Sequence, residues 1–232
     1  IYTTIDLKYQ EYAEQASKEH MEWLQKRYFR QWKGMDPWSY EADEVQKKLR
    51  KEVLLSQAKA SPRYLNLRKK MFEPQIANIQ GIRLTDNILE TLIKSDTNNL
   101  IINDLYKNNW ISKEELPAYV DFKNSTAYTT VCQAYAKLQQ AFKKEFAIPV
   151  KMRVYDHTKG EKDTLMSPMD STKYNAMFLQ NAVLAIDPSN GYVKAWVGGI
   201  NHKHFKFDHV TSRRSVGSTM KPFVYTAAMA FG

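Results

Sequence analysis

Two periods of apolar and polar residues run along this chain, and each marks a kind of element. Residues 2–5, Y-T-T-I, predict a short strand, and Asp6 is a good helix N-cap. Apolar residues then recur at Tyr9, Tyr12, Ala16, Trp23 and Tyr28, near the helical repeat. An amphipathic helix is expected to about Gln31, broken by Gly34 and Pro37. Residues 33–147 read as mainly helical, beginning with the very polar run 41–60. Thr85 or Asp86 can cap I-L-E-T-L-I-K, and Ser112 with Glu115 makes a capping box. Asn124 or Ser125 opens a helix whose apolar line is Val131, Tyr135, Leu138, Phe142 and Phe146. Asn98 to Asn109 is rich in Asn and Asp and predicts a loop or an exposed junction.

The period changes at Pro149. Val150, Met152 and Val154 alternate with Lys151, Arg153 and Tyr155, which predicts a strand with one buried face. Residues 157–162 read as a polar turn. Ser167 to Asp170 combine a capping box with proline at the first helical position, and the helix should reach about Leu179. Residues 182–187 and 192–198 flank Pro188-Ser189-Asn190-Gly191, the pattern of a hairpin and its turn. The strand pattern leaves the face of Trp196 open. Gly198 and Gly199 would let the backbone approach the following helix. That helix, 218–232, has almost no polar face and is expected to be covered on all sides. Strand 2–5 and both hairpin strands should share one antiparallel sheet, with the helices from Asp6 and Ser218 beside it.

Composition narrows the class. The 232 residues are 43% hydrophobic and 12% aromatic, which suits a globular chain. No apolar run is long enough to span a membrane. The chain opens at Ile1 with no signal peptide ahead of it and is read as an internal fragment. The net charge of +9 suits acidic polymers or lipid head groups, but no nucleic-acid motif accompanies it. Cys132 is the only cysteine, so no internal disulfide forms, and it reads as a core thiol. His202, His204 and His209 lack partners at metal-ligand spacing and read as surface or structural residues.

Chemistry concentrates at Ser218 and Lys221, three apart at a helix start. A serine hydroxyl becomes a nucleophile when a base takes its proton, and a buried lysine can be that base. Ser56 and Lys59 repeat the spacing within the polar run 41–60, where a solvated helix face is the reading. Context separates the two pairs. R-R-x-V-G-S-T-M-K-P-F-V-Y, residues 213–225, closely resembles the active-site serine motif of class A (bifunctional) penicillin-binding proteins. T-T-I-D with Gln10, Ala13 and Glu14 resembles the opening of their transpeptidase domains. The hairpin 182–199 resembles the one that precedes their serine motif, with Asn190 in place of the common threonine.

The resemblance implies an α+β, helix-rich fold. It would be the N-terminal part of a transpeptidase domain of the penicillin-binding protein and serine β-lactamase type. Residues 1–32 and 150–232 would form this incomplete domain, and 33–149 a helical insertion or linker. It implies a peptidoglycan D,D-transpeptidase on the outer side of the cytoplasmic membrane, with no cofactor. Ser218 would attack the D-Ala-D-Ala carbonyl, Lys221 would act as base, and the Ser218 N–H would be one oxyanion donor. Partners would be stem peptides, glycan strands and β-lactams, with a regulatory protein at the insertion. A membrane would be met only through an N-terminal segment that this chain lacks. The Ser-x-Asn and Lys-Thr-Gly motifs do not occur in the chain, so it would be inactive alone. Two alternatives stand beside this. One is a β-lactamase or carboxypeptidase that transfers to water, against which the T-T-I-D opening and the aromatic run after Lys221 argue. The other is a non-catalytic docking module built on residues 33–147.

Overall fold

The computed structural model describes residues 2–94 and 100–231. Its elements, in order, are α1 (Leu7–Gln31), α2 (Glu44–Lys59), α3 (Pro62–Met71), α4 (Glu73–Ile76), α5 (Asp86–Lys94), α6 (Leu100–Lys107), α7 (Leu116–Lys123), α8 (Thr126–Ala147), β1 (Val150–Asp156), β2 (Gly160–Met166), α9 (Pro168–Ala176), β3 (Val183–Ile186), β4 (Val193–Val197) and α10 (Lys221–Phe231). A 3₁₀ turn, Gly217–Met220, leads into α10. β1 pairs with β2 and β3 with β4, so this is a helix-rich α+β chain with two small sheets among the described residues. The chain divides into two compact units. Unit 1 holds 1–37, 155–162 and 177–232; unit 2 holds 38–154 and 163–176.

Unit 2 is built on the line read from the sequence. Val131, Tyr135, Leu138, Phe142 and Phe146 are the buried residues of α8. They join Tyr64, Phe72, Ile88, Leu89, Leu92 and Tyr119 in one core. Caps fix the helix starts. Asp43 and Gln46 make a full capping box at α2, and Ser61 accepts the Tyr64 N–H at α3. Thr85 Oγ1 accepts the Ile88 N–H at 3.4 Å ahead of α5. Ser112 keeps only half of its box: its N–H donates to Glu115 at 2.7 Å, and the helix starts at Leu116. The expected loop over 98–109 gives way to α6, whose clustered apolar residues outweigh its Asn and Asp; Asn98 and Asn99 lie outside the described residues.

In unit 1, β3 and β4 pair antiparallel with Leu184 opposite Trp196 and Ala185 opposite Ala195. Ala195 and Val197 are buried, whereas Leu184 and Trp196 face outward. The turn places Gly191 at φ 73°, where glycine carries no Cβ penalty. Phe29, Tyr155, Phe178 and Phe205 meet in edge-on or tilted pairs 4.9 to 5.7 Å apart, and Phe178 is buried.

Several expectations are corrected. Residues 2–5 form no ladder among the described residues; the contacts with β4 here are Asp6 N–H to Lys194 O at 2.9 Å and the Thr4 hydroxyl to Val193 O. The aromatic line of α1 faces out: Tyr9, Tyr12 and Trp23 are exposed, while Ser17, Met21 and Gln25 are buried. The buried face of α1 is held by polar bonds, so apolar periodicity marked the wrong side. The polar turn shrinks to 157–159, because 160–166 pairs as β2. α9 stops at Ala176, where Gln25 instead binds the main chain of Met177 and Leu179.

Candidate active site

Ser218 sits inside the 3₁₀ turn, and the N–H of Lys221 donates to the Ser218 carbonyl. Lys221, three residues on, is the first residue of α10. Gly217 enters the turn at φ 51°, a conformation that favours glycine. Thr219 braces it: its N–H donates to Val216 O at 3.1 Å, and its hydroxyl donates to the same oxygen. Ser218 and Lys221 are both exposed, and among the described residues no hydrogen bond joins Ser218 Oγ to Lys221 Nζ. The helix therefore begins later than expected, as α only from Lys221. It is also uncovered, with Phe223 69% and Phe231 91% exposed. A helix this apolar is driven to burial, yet none of its residues is buried against another described element.

What precedes the turn is more firmly built. β4 has a free edge on the side away from β3, and α1 caps it. Thr4 Oγ1 donates to Val193 O at 2.7 Å. Gln10 accepts the Trp196 N–H at 2.8 Å and returns its own N–H to the Trp196 carbonyl at 3.1 Å. Further along α1, Ser17 exchanges hydrogen bonds with Asn181 at 2.9 and 3.1 Å. Gln25 holds Met177 O and Leu179 N–H at 3.1 and 2.9 Å. Sequence reading missed Ser17 and Gln25. With Met21 they recur every four residues, a line that could have marked the docked face.

Past β4 the expected close approach at Gly198 is real but has another neighbour. A Cβ there would lie 2.8 Å from Asp208 Oδ1 rather than against a helix. Asp208 in turn accepts the Trp196 indole N–H. No motif pointed to Asp208.

Two carboxylates of unit 1 are matched by their neighbours. Burial alone would raise the Asp156 carboxyl. The N–H groups of Lys159 and Thr158, the Thr158 hydroxyl and nearby Lys162 overcome this and bring it down to about 2. Glu161 is held below the usual carboxylate range by Lys203 and His204, with His204 Nε2 at 2.9 Å. Among the described residues no cluster of His, Cys, Asp or Glu is arranged to hold a metal ion. No described helix is long and apolar enough to cross a membrane.

The second serine–lysine pair lies in unit 2, where Lys59 is not on a solvated face. It lines a groove and pairs with Glu90 and, at 3.8 Å, with Asp86. Tyr64 donates to Asp86 and Tyr135 to Glu90; burial first, then the carboxylates, push both phenols upward. Lys59 is thus held between two acidic side chains, and Ser56 beside it is exposed. Cys132 is half-buried, and burial raises its thiol.

Residues 105–179 match the family model described as the penicillin-binding protein middle domain. The chain is similar to penicillin-binding protein 1A of Vibrio cholerae serotype O1, 52% identical over 52 residues, which is 22% of this chain and 6% of that protein. It is similar to penicillin-binding protein 1A of Escherichia coli strain K12, 47% identical over 55 residues, covering 23% and 6%. Against penicillin-binding protein 1A of Neisseria flavescens it is 39% identical over 75 residues, covering 32% and 9%. The matched stretches thus span 6 to 9% of the length of these relatives. No solved structure matches the chain.

Proposed function

We propose that this penicillin-binding protein 1A-like chain carries the nucleophile segment of a peptidoglycan D,D-transpeptidase. The observation that carries the reading is Ser218 in a 3₁₀ turn whose following residue, Lys221, opens an apolar helix. In the parent protein, covering elements would bury α10 and strip water from the lysine. Lys221 would then take the Ser218 proton as Oγ attacks the carbonyl carbon of a D-Ala-D-Ala stem peptide. The Ser218 N–H, at the open end of the turn, would donate to the oxyanion. Collapse of the tetrahedral adduct would expel D-alanine with the returned proton, leaving an acyl ester on Ser218. An amine of a second stem peptide would then displace the serine and form the cross-link. A β-lactam carbonyl would meet the same oxygen and stay on it. The reaction belongs outside the cytoplasmic membrane, where its polymer lies. Residues 1–32 and 150–232 would form the transpeptidase part, and 33–149 an insertion within it.

Product analysis tests this. The parent protein, given a stem-pentapeptide donor and an amine acceptor, should form cross-linked dimer with release of D-alanine. Free tetrapeptide acid alone would assign it to hydrolysis instead.

A further inference from the structure

A set of hydrogen bonds joins the end of β4 to the segment that carries Ser218, and it centres on Asp208. Oδ2 accepts the Trp196 indole N–H at 3.0 Å. Oδ1 accepts the Val210 N–H at 2.9 Å. The Asp208 carbonyl accepts the Thr211 hydroxyl at 3.3 Å. The neighbouring His209 N–H reaches back to the Gly198 carbonyl at 2.7 Å. Only glycine at 198 leaves room for the carboxylate, since Oδ1 lies 2.8 Å from where a Cβ would stand. The Trp196 main chain is itself clamped by Gln10. Residues 213–217, exposed and leading directly to Ser218, start from this anchor.

We propose that Asp208 is a positioning residue for Ser218. It ties the start of the nucleophile segment to Trp196 and so sets where the serine hydroxyl meets an acyl donor. The inference rests on the reading of Ser218 as nucleophile. Two donors converge on Asp208, and a carboxylate offers an oxygen to each. A carboxamide has one acceptor oxygen and must release one donor. Asp208 touches no reacting atom. It acts through the path of the chain, and displacements of about 1 Å at a nucleophile cost up to roughly 10²-fold in rate.

The test is stopped-flow acylation of the parent protein by a chromogenic cephalosporin, which separates the initial Kd from the acylation rate constant. Asp208→Asn should slow acylation about tenfold, the worth of one charge-assisted hydrogen bond, with Kd changed less than about twofold. Trp196→Phe, which removes the indole donor and keeps a single aromatic ring, should give the same loss. Asp208→Asn added to Trp196→Phe should then cost nothing further, because one amide oxygen suffices for Val210. Additive losses, a parental rate in Asp208→Asn, or a rate loss matched by an equal rise in Kd would each overturn the proposal. Ser218→Ala separates the two levels. Adduct on that variant would defeat the nucleophile reading itself. No adduct there, with an unaffected Asp208→Asn, would defeat positioning alone.

Discussion

Gln10 and Trp196 are joined by two hydrogen bonds of the kind a neighbouring strand would supply. The Gln10 carboxamide accepts the Trp196 N–H at 2.8 Å and donates to its carbonyl at 3.1 Å. A side chain of α1 thereby completes the free edge of β4. Gln10→Ala should lower stability by about 1–2 kcal/mol, measured by urea unfolding. Gln10→Glu keeps an acceptor for the N–H but sets a carboxylate against the Trp196 carbonyl and against Glu14, to which the Gln10 amide also donates, so its midpoint should fall at least as far. Equal midpoints for all three proteins would mean that water replaces the amide without loss.

Asp156 should make stability depend on acid. Its folded-state carboxyl lies at about 2, below the usual value of 3.8. The depressed value means its contribution is fully present above the unfolded value and is lost as pH falls through the folded one. The window therefore runs from about pH 4 down to about pH 2. Asp156→Asn should lower Tm near neutral pH, and the gap from the unmodified protein should close toward pH 2. A gap that stays constant across that window would remove Asp156 from the acid response.

In unit 2, Tyr119 is fully buried; its hydroxyl donates to Arg83 O at 2.7 Å and accepts Arg83 N–H at 3.1 Å. Tyr119→Phe removes the partner of both groups and should cost about 1–3 kcal/mol. Leu138→Ala, which empties part of the same core, should cost about 2–5 kcal/mol. A Leu138→Ala loss below that of Tyr119→Phe, read from denaturant midpoints, would place the weight of this unit on its polar bonds instead.

Legibility followed the type of force. The α8 line was readable because it packs by apolar burial, and 3.6-residue periodicity reports burial. α1 was misread in orientation for the same reason: it docks through Gln10, Ser17 and Gln25, which such a pattern scores as surface. Its exposed Tyr9, Tyr12 and Trp23 scored as core. β2 has a polar sequence, G-E-K-D-T-L-M, and shows itself only by pairing with β1. The serine and lysine were found through a motif, but their exposure was not, since local sequence cannot report what covers a helix. Trp196 had an undecided face, and it is 37% exposed. An exposed tryptophan gives up less on truncation than a buried one, so the 3–5 kcal/mol scale of a core aromatic does not apply to it. Asp208 matters through partners on either side of it in the chain, a relation no spacing rule encodes.

The central claim is that Ser218 is the acylated nucleophile, and one measurement meets it directly. Intact-mass spectrometry after incubation with a labelled penicillin compares the parent protein, its Ser218→Ala variant and the 232-residue chain. The parent should gain one adduct, mapped to the peptide that contains Ser218, and the variant none. The 232-residue chain should react very slowly, because Ser218 and Lys221 are exposed and it contains no Ser-x-Asn or Lys-Thr-Gly motif. Acceleration comes from groups that hold the transition state, and loss of a single oxyanion donor alone costs about 10²–10³ in rate. An adduct of undiminished yield on Ser218→Ala would contradict the assignment.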